Sequence, residues 1–388
     1  SRHGRGPAPL FYEGRLIVEG IDELRAVNAY NGQVLWSYSL PNILAAYDAE
    51  HLMGTSGTGS NFCVSDGSVY LRKENVCIRI DAVTGKKIAE FKAPPIDPKS
   101  NKNNVWAYLA VEDGVLFGSL ADTTYLVSFR YGESDMRMQF TQSKLLFAMD
   151  AETGKLKWQF NPKNSIKHNT IAIGGGKIYF IDRPTSEKDE MDKRRGAKST
   201  LVHQTGILYC LSAETGKSIW KSDDRIWGTV LALSTENDAL VMAYQPGRFQ
   251  LPTELGNEIA VYQASTGKKL WAKEKLKYAT RPLIIGSKLY VQGGAWDLLS
   301  GIEQPFDFKR SYGCGQLTGS PNLLLFRSGT LGYYDLTGGY ETSNYGGIRP
   351  GCWINAIPAG GLVLMPDASA RCSCSYLNRS WVALQGKE

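Results

Sequence analysis

The chain has 388 residues, 43% of them hydrophobic and 11% aromatic, with 41 glycines and a formal net charge of +6 from 44 basic and 38 acidic residues. This composition excludes a disordered chain and suits a turn-rich all-β protein, in which aromatic and β-branched side chains fill the sheets. No apolar run approaches the roughly 20 residues of a membrane-spanning helix, so direct membrane insertion is not expected, and a chain this long forms several domains or one closed repeat array.

One phrase recurs along the chain. It appears first as Ala29-Tyr30-Asn31-Gly32-Gln33-Val34-Leu35-Trp36, then as Asp81-Ala82-Val83-Thr84-Gly85-Lys86-Lys87-Ile88. Three fuller copies run from Asp150 to Trp158, from Ser212 to Trp220 and from Gln263 to Trp271. Each follows an alternating apolar run and ends in a short apolar run, which predicts a β-hairpin whose glycine takes positive φ at the turn. Upstream of most copies lies a second alternating pair around a turn such as Asp113-Gly114 or Gly174-Gly175-Gly176, giving four strands per unit. Four-stranded units with two apolar faces must stack, and radial stacking predicts an all-β fold, an eight-bladed β-propeller of four-stranded antiparallel blades. The blades fall near 6–40, 61–91, 106–160, 169–221, 228–273, 279–308, 316–342 and 352–384, one propeller domain over 1–388, possibly a module of a larger protein. The last blade supplies three strands, and its fourth is expected from residues before Ser1 or from the first few residues. The opening Ser1-Arg2-His3-Gly4 has no signal-peptide apolar region, as expected of a mature chain or a fragment.

The phrase is fullest at Ala148 to Trp158, and there it resembles the repeat of pyrroloquinoline-quinone-like (PQQ-like) propellers. The resemblance covers nearly the whole chain. That superfamily holds quinoprotein alcohol dehydrogenases and non-catalytic scaffolds such as the outer-membrane assembly lipoprotein, so fold alone does not give function. The dehydrogenase pattern implies a vicinal Cys-Cys pair and a calcium shell of Glu, Asn and Asp against the quinone. This chain has no Cys-Cys dipeptide, and no residues are matched to that shell.

The tryptophans that close the repeats, Trp36, Trp158, Trp220 and Trp271, are expected to pack between blades. Residues leading into the innermost strands would ring the mouth of the axial channel: Trp106, His168, Trp227, Arg281, Cys314 and Trp353. Their indoles and charge could hold a planar anionic quinone or a sugar, and the plainer reading is that they plug the channel. The histidines have no metal-ligand spacing, so no metal site is expected. Seven cysteines make an odd count. Cys314, Cys352, Cys372 and Cys374 fall on adjacent blades and are expected to form one or two disulfides rather than a thiolate metal site, with Cys63 and Cys77 a further pair. Such pairs imply an extracytoplasmic location: periplasmic, cell-surface or secreted.

Three long insertions between second and third strands, at 119–143, 183–204 and 246–257, must emerge on one face. Their Tyr125, Phe129, Tyr131, Arg194, Arg195 and Phe249 mix apolar anchors with charge, as contact surfaces do. The basic run at 188–198 is interleaved with acids, which makes it a solvated loop and argues against a nucleic-acid partner. The sequence therefore favours a protein-binding or scaffolding propeller whose partner is another protein or a neighbouring domain, with no cofactor. The alternatives are an atypical dehydrogenase holding PQQ with calcium, and a glycan-binding module.

Overall fold

A computed structural model describes residues 7–20, 22–43, 60–96, 104–122, 141–184, 205–244, 256–313, 315–351, 356–365 and 380–386, and 126–129 and 188–191 by backbone alone. Among these residues the fold is all-β, with one 3-10 turn at His168–Thr170.

The first sheet is β1 (Leu10–Tyr12), β2 (Arg15–Glu19), β3 (Glu23–Asn28) and β4 (Val34–Ser39), antiparallel and in chain order. The second repeats that order with β5 (Phe62–Ser65), β6 (Ser68–Lys73), β7 (Val76–Asp81) and β8 (Lys87–Lys92). Next come β9 (Trp106–Glu112), β10 (Val115–Ala121), the inserted β11 (Leu126–Phe129), β12 (Gln142–Asp150) and β13 (Leu156–Phe160). They are followed by β14 (Ile166–Lys167), β15 (Ala172–Gly174), β16 (Lys177–Asp182), the inserted β17 (Lys188–Met191), β18 (Gly206–Ser212) and β19 (Ser218–Ile226). The short β14 pairs with both β12 and β16, which fuses two four-stranded units into one nine-stranded sheet.

A further four-stranded sheet holds β20 (Val230–Ser234), β21 (Ala239–Ala243), β22 (Ile259–Gln263) and β23 (Lys269–Lys273). A three-stranded one holds β24 (Leu283–Ile285), β25 (Lys288–Val291) and β26 (Gly294–Asp297). Where its fourth strand would lie, Phe306 and Phe308 instead stack on each other and pack against Tyr334 of the next sheet. That sheet is β27 (Thr318–Gly319), β28 (Leu323–Ser328), β29 (Thr330–Asp335) and β30 (Thr342–Tyr345). The last has three strands, β31 (Ile357–Ala359), β32 (Leu362–Met365) and β33 (Val382–Gln385).

Burial follows position within a unit. The second strands β10 and β21 are buried at every residue, because sheets cover both of their faces. In the outer strand β4 only Trp36 is fully buried. Apolar clusters lie between consecutive sheets: Ile17, Leu24 and Trp36 of the first pack on Val69, Leu71 and Ile80 of the second, and this arrangement repeats along the chain. The last sheet packs back on the first, with Leu364 against Leu16 and Ala29.

The Thr-Gly turns join third to fourth strands and carry the contact between sheets. In the copy at Asp150 the aspartate Oδ1 accepts the Thr153 N–H at 2.8 Å and the Thr153 hydroxyl at 2.7 Å, which closes the turn, and Gly154 follows at φ +70°. The indole of one sheet lies flat on the turn glycine of the next, and its Nε1–H donates to the carbonyl three residues before that glycine. Trp36 donates to Ala82 O at 3.0 Å, Trp158 to Ala213 O at 2.7 Å, Trp220 to Ala264 O at 2.9 Å and Trp271 to Leu298 O at 2.9 Å. A Cβ on Gly85, Gly216, Gly267 or Gly301 would meet that ring at 2.6–2.8 Å. The second sheet has Ala89 opposite Arg79, where the first, third, fourth and fifth units have the indole. There Phe91 covers Gly154 and the Tyr70 hydroxyl donates to Ala151 O at 3.1 Å, so two residues share the work of one tryptophan.

The expected Cys63–Cys77 disulfide is not formed; both thiols are free. Cys63 lies on β5 and Cys77 on β7, with β6 hydrogen-bonded between them. Two strand spacings come to about 9.5 Å, beyond the reach of a disulfide. Cys314, Cys352, Cys372 and Cys374 lie outside the described residues.

Candidate functional site

Of the residues proposed for the channel mouth, Trp106, His168 and Trp227 stand at or ahead of innermost strands and are buried, and Cys314 lies outside the described residues. Trp106 opens β9 and is 0% exposed; its Nε1–H donates to Tyr108 O at 2.7 Å and its ring meets Phe147 edge-on at 4.9 Å. Trp227, ahead of β20, is 5% exposed and stacks on Tyr244 at 4.6 Å, while Arg183 donates to its carbonyl at 2.7 Å. Arg281, ahead of β24, donates its backbone N–H to Gln316 Oε1 at 2.6 Å. Trp353 lies outside the described residues.

His168 belongs to a buried polar chain that was not legible in the sequence. The Tyr108 N–H donates to Ser119 Oγ at 3.0 Å, Ser119 Oγ lies 2.6 Å from Ser143 Oγ, and Ser143 Oγ lies 2.8 Å from His168 Nε2. A serine beside an imidazole has the geometry of an activated nucleophile. Ser119 and Ser143 are 0% exposed and His168 2%, so no acyl group can reach the hydroxyl, and the chain serves to satisfy buried groups where β10, β12 and the following turn meet.

A second polar cluster joins the ends of the first two sheets. Asn61 Nδ2 donates to Glu19 Oε2 at 2.6 Å, and both residues are buried. Burial pushes the Glu19 carboxyl up to about 8, against the opposing pull of the Asn61 hydrogen bond and the Arg72 charge. Glu19 Oε1 and Asn61 Oδ1 have no hydrogen-bond partner among the described residues. Two such oxygens fall far short of a cation shell, which takes six to eight oxygens for calcium. Among the described residues no three His, Cys, Asp or Glu side chains gather to complete one, so these two residues alone do not make a calcium site.

The insertions behave as a pair. β11, between the second and third strands of one unit, runs parallel to β17 in the same position of the next, with register Leu126↔Lys188 through Phe129↔Met191. Two consecutive insertions therefore share one two-stranded sheet outside the stacked units. The backbone of Phe129 is in this sheet; Tyr125, Tyr131, Arg194, Arg195 and Phe249 lie outside the described residues. No helix among the described residues is long and apolar enough to cross a membrane.

Comparison with known proteins places this architecture. A quinone-dependent alcohol dehydrogenase subunit of Gluconacetobacter polyoxogenes is 23% identical over 259 residues, 63% of this chain and 33% of that protein. The chain thus spans about a third of the length of the curated relative it matches. The quinohemoprotein alcohol dehydrogenase of Comamonas testosteroni superposes with a TM-score of 0.59 at 13% identity, covering 99% of this chain and 74% of that one. BamB of Moraxella catarrhalis superposes with a TM-score of 0.50 at 16% identity, covering 84% and 82%. These likenesses establish the propeller fold. The family model described as outer membrane protein assembly factor BamB matches residues 1–221 and 204–303, well over half of the chain, and on that match the chain belongs to this family of PQQ-like repeat propellers.

Proposed function

We propose that residues 1–388 form one closed ring of eight blades that acts outside the cytoplasm as a protein-binding or scaffolding module of a larger protein or complex. Ring closure is supported by the Leu364 contact with Leu16 and Ala29, which returns the last sheet to the first. The extracytoplasmic setting is supported by the family's description as an outer membrane assembly factor. The observation that carries the binding role is the parallel pairing of β11 with β17. Backbone pairing between insertions of successive units makes a shared platform out of segments that surface elaborations would leave separate.

Replacing 123–140 and 185–204 together by short Gly-Ser linkers tests this role. The thermal midpoint should stay near that of the parent while association with the partner that co-purifies with the parent chain is lost. Unchanged association would remove this face from the interface, and unfolding would make the insertions part of the core.

The dehydrogenase alternative has the Glu19–Asn61 pair and the curated relative in its favour, and an incomplete donor set against it. Adding PQQ with calcium and measuring chromophore binding and dye reduction separates the two readings. A glycan-binding role would rest on indoles of which Trp106 and Trp227 are 0% and 5% exposed.

A further inference from the structure

The indole clamp that joins consecutive sheets is absent between β24–β26 and β27–β30, because the first of these has no fourth strand to carry a tryptophan. Residues 306–311 take that place. Phe306 packs on Tyr290 of its own sheet and on Tyr334 of the next, and Phe308 meets Phe326 edge-on at 4.6 Å. The three residues that follow are pinned along the next sheet. The Lys309 N–H donates to Thr342 Oγ1 at 2.9 Å, the Arg310 Nε–H to Arg327 O at 2.7 Å and the Ser311 N–H to Ser328 Oγ at 3.0 Å.

This crossing leaves a cleft of about 790 Å³. Lys309, Arg310 and Ser311 form its floor, Lys277 to Ala279 with Gln292 and Gly293 one wall, and Ser328, Thr342 and Asn344 the other. The first wall is a close approach of two backbones. Gly293 stands at φ +127°, a Cβ on it would overlap Lys277 O, and the Ala279 N–H donates to Gln292 O at 3.0 Å. The turns at Gln292–Gly293 and Gly329 join second to third strands, so the cleft lies at the end of the sheets where three earlier units have their insertions.

Three cations line the cleft, Lys277, Lys309 and Arg310, and among the described residues no carboxylate does. Two acids act on Lys309 from outside the lining: Asp307, in an exposed pair at 2.8 Å that holds it only weakly, and Glu341 through its charge. Arg310 is fixed in place. Besides its bond to Arg327 O it donates through Nη1 to Gln292 Oε1 and to Gly315 O, both at 3.1 Å, and so spans the two sheets. These three acceptors are neutral, so they orient the guanidinium without cancelling its charge, and a ligand meets it already ordered.

We propose that this cleft binds a phosphomonoester of a small polar alcohol. Near neutral pH a phosphomonoester is a compact dianion with three strong acceptor oxygens, which suits two ammonium groups, a guanidinium and the Ser311 hydroxyl gathered on one cleft. The volume is that of a small-molecule site and exceeds what a bare phosphate fills. The Gln292 and Asn344 amides on the walls are there for the hydroxyls of the alcohol.

The probe is glycerol 3-phosphate, titrated into the 388-residue chain by calorimetry and followed by its phosphorus NMR line. Saturable binding is expected, weakening as salt is raised, with glycerol not binding and inorganic phosphate and succinate binding less tightly. Lys277→Gln combined with Lys309→Gln, two exposed positions, should weaken it by about tenfold or more at an unchanged thermal midpoint. Lys155→Gln combined with Lys268→Gln, on the turns of other sheets, should leave it unchanged. Arg310→Lys keeps the charge and loses the bonds that orient it, and should also weaken binding; should that variant not fold, the Lys277 and Lys309 pair decides. Absence of saturable binding, binding of succinate or inorganic phosphate as tight as that of the ester, indifference to the cleft pair, or an equal loss in the control pair overturns the proposal. Such a failure leaves the insertion-face reading untouched, since the cleft does not include β11 or β17.

Discussion

Trp158→Ala is the sharpest perturbation of the clamp. The ring is 8% exposed, lies over Gly216, packs at a tilt on Phe117 with centroids 6.2 Å apart and donates to Ala213 O. Truncating a buried Trp costs about 3–5 kcal/mol through lost transfer energy and the cavity left behind. Gly216 and Ala213 sit on a turn held by its own backbone bonds, Gly216 N to Ser212 O and Ser212 N to Lys217 O, both at 2.9 Å, so the site cannot collapse to fill the space. Trp158→Phe keeps most of the apolar surface and loses the indole hydrogen bond, which costs about 1–2 kcal/mol. Leu156→Ala, on the same strand but 41% exposed, should fall within about 0.5 kcal/mol of the parent. Urea unfolding followed by far-UV circular dichroism orders the three. An Ala variant within about 1 kcal/mol of the parent, or equal to the Phe variant, would refute the clamp as the source of cohesion between units.

Gly154→Val should destabilise by more than about 1 kcal/mol, because φ is +70° and the Phe91 ring occupies the place of a Cβ, while Gly338→Ala, with nothing within 4 Å, should leave the melting temperature unchanged. Glu19 binds its proton more tightly folded than unfolded, so its contribution is fully present below about pH 4.5 and is lost progressively as pH rises to about 8. Glu19→Gln should flatten that slope, a difference of at most about 5 kcal/mol between the two pH limits by urea titration; parallel pH profiles for parent and variant would show that the carboxyl is not desolvated. Unfolding in iodoacetamide without reductant should alkylate both Cys63 and Cys77, whereas burial, which pushes the Cys63 thiol up to about 12, should keep it unmodified in the native chain; a cross-linked peptide pair would refute the free thiols.

What the sequence made legible was whatever depends on neighbours along the chain. The Asp-x-x-Thr-Gly phrase encodes its own turn: an aspartate oxygen within reach of the Thr backbone and hydroxyl, then a residue free to take positive φ. The tryptophan's place two strand residues beyond the turn also fixes its side, because strand parity decides which face it buries. The channel-mouth expectation turns on the same point. Position ahead of an innermost strand locates the backbone of Trp106, but whether the indole faces the axis or the next sheet depends on the partner, here Phe147, 41 residues away. The Glu19–Asn61 pair and the β11–β17 pairing are likewise set by which ends of separate units meet, and neither leaves a local pattern.

The cysteines make the converse case. Cys63 and Cys77 do share a face, as parity allows, and both belong to the apolar cluster around Trp106. Sharing a face across an intervening strand is a packing relation, and a disulfide requires adjacency that spacing along the chain cannot express. The second sheet carries the point further. Ala89 breaks the repeat at its most conspicuous residue, yet Phe91 two residues on in the same strand and the Tyr70 hydroxyl of β6 rebuild the same contact. What is constant from the first sheet to the sixth is thus a pair of demands made by the turn, a flat apolar surface over the glycine and a donor for the carbonyl before it, and residues that meet both hold those units together. The seventh sheet is held in another way: a Cβ on Gly338 would meet nothing within 4 Å, and the rings of Phe306 and Phe308 pack instead on Tyr334, one residue ahead of that turn.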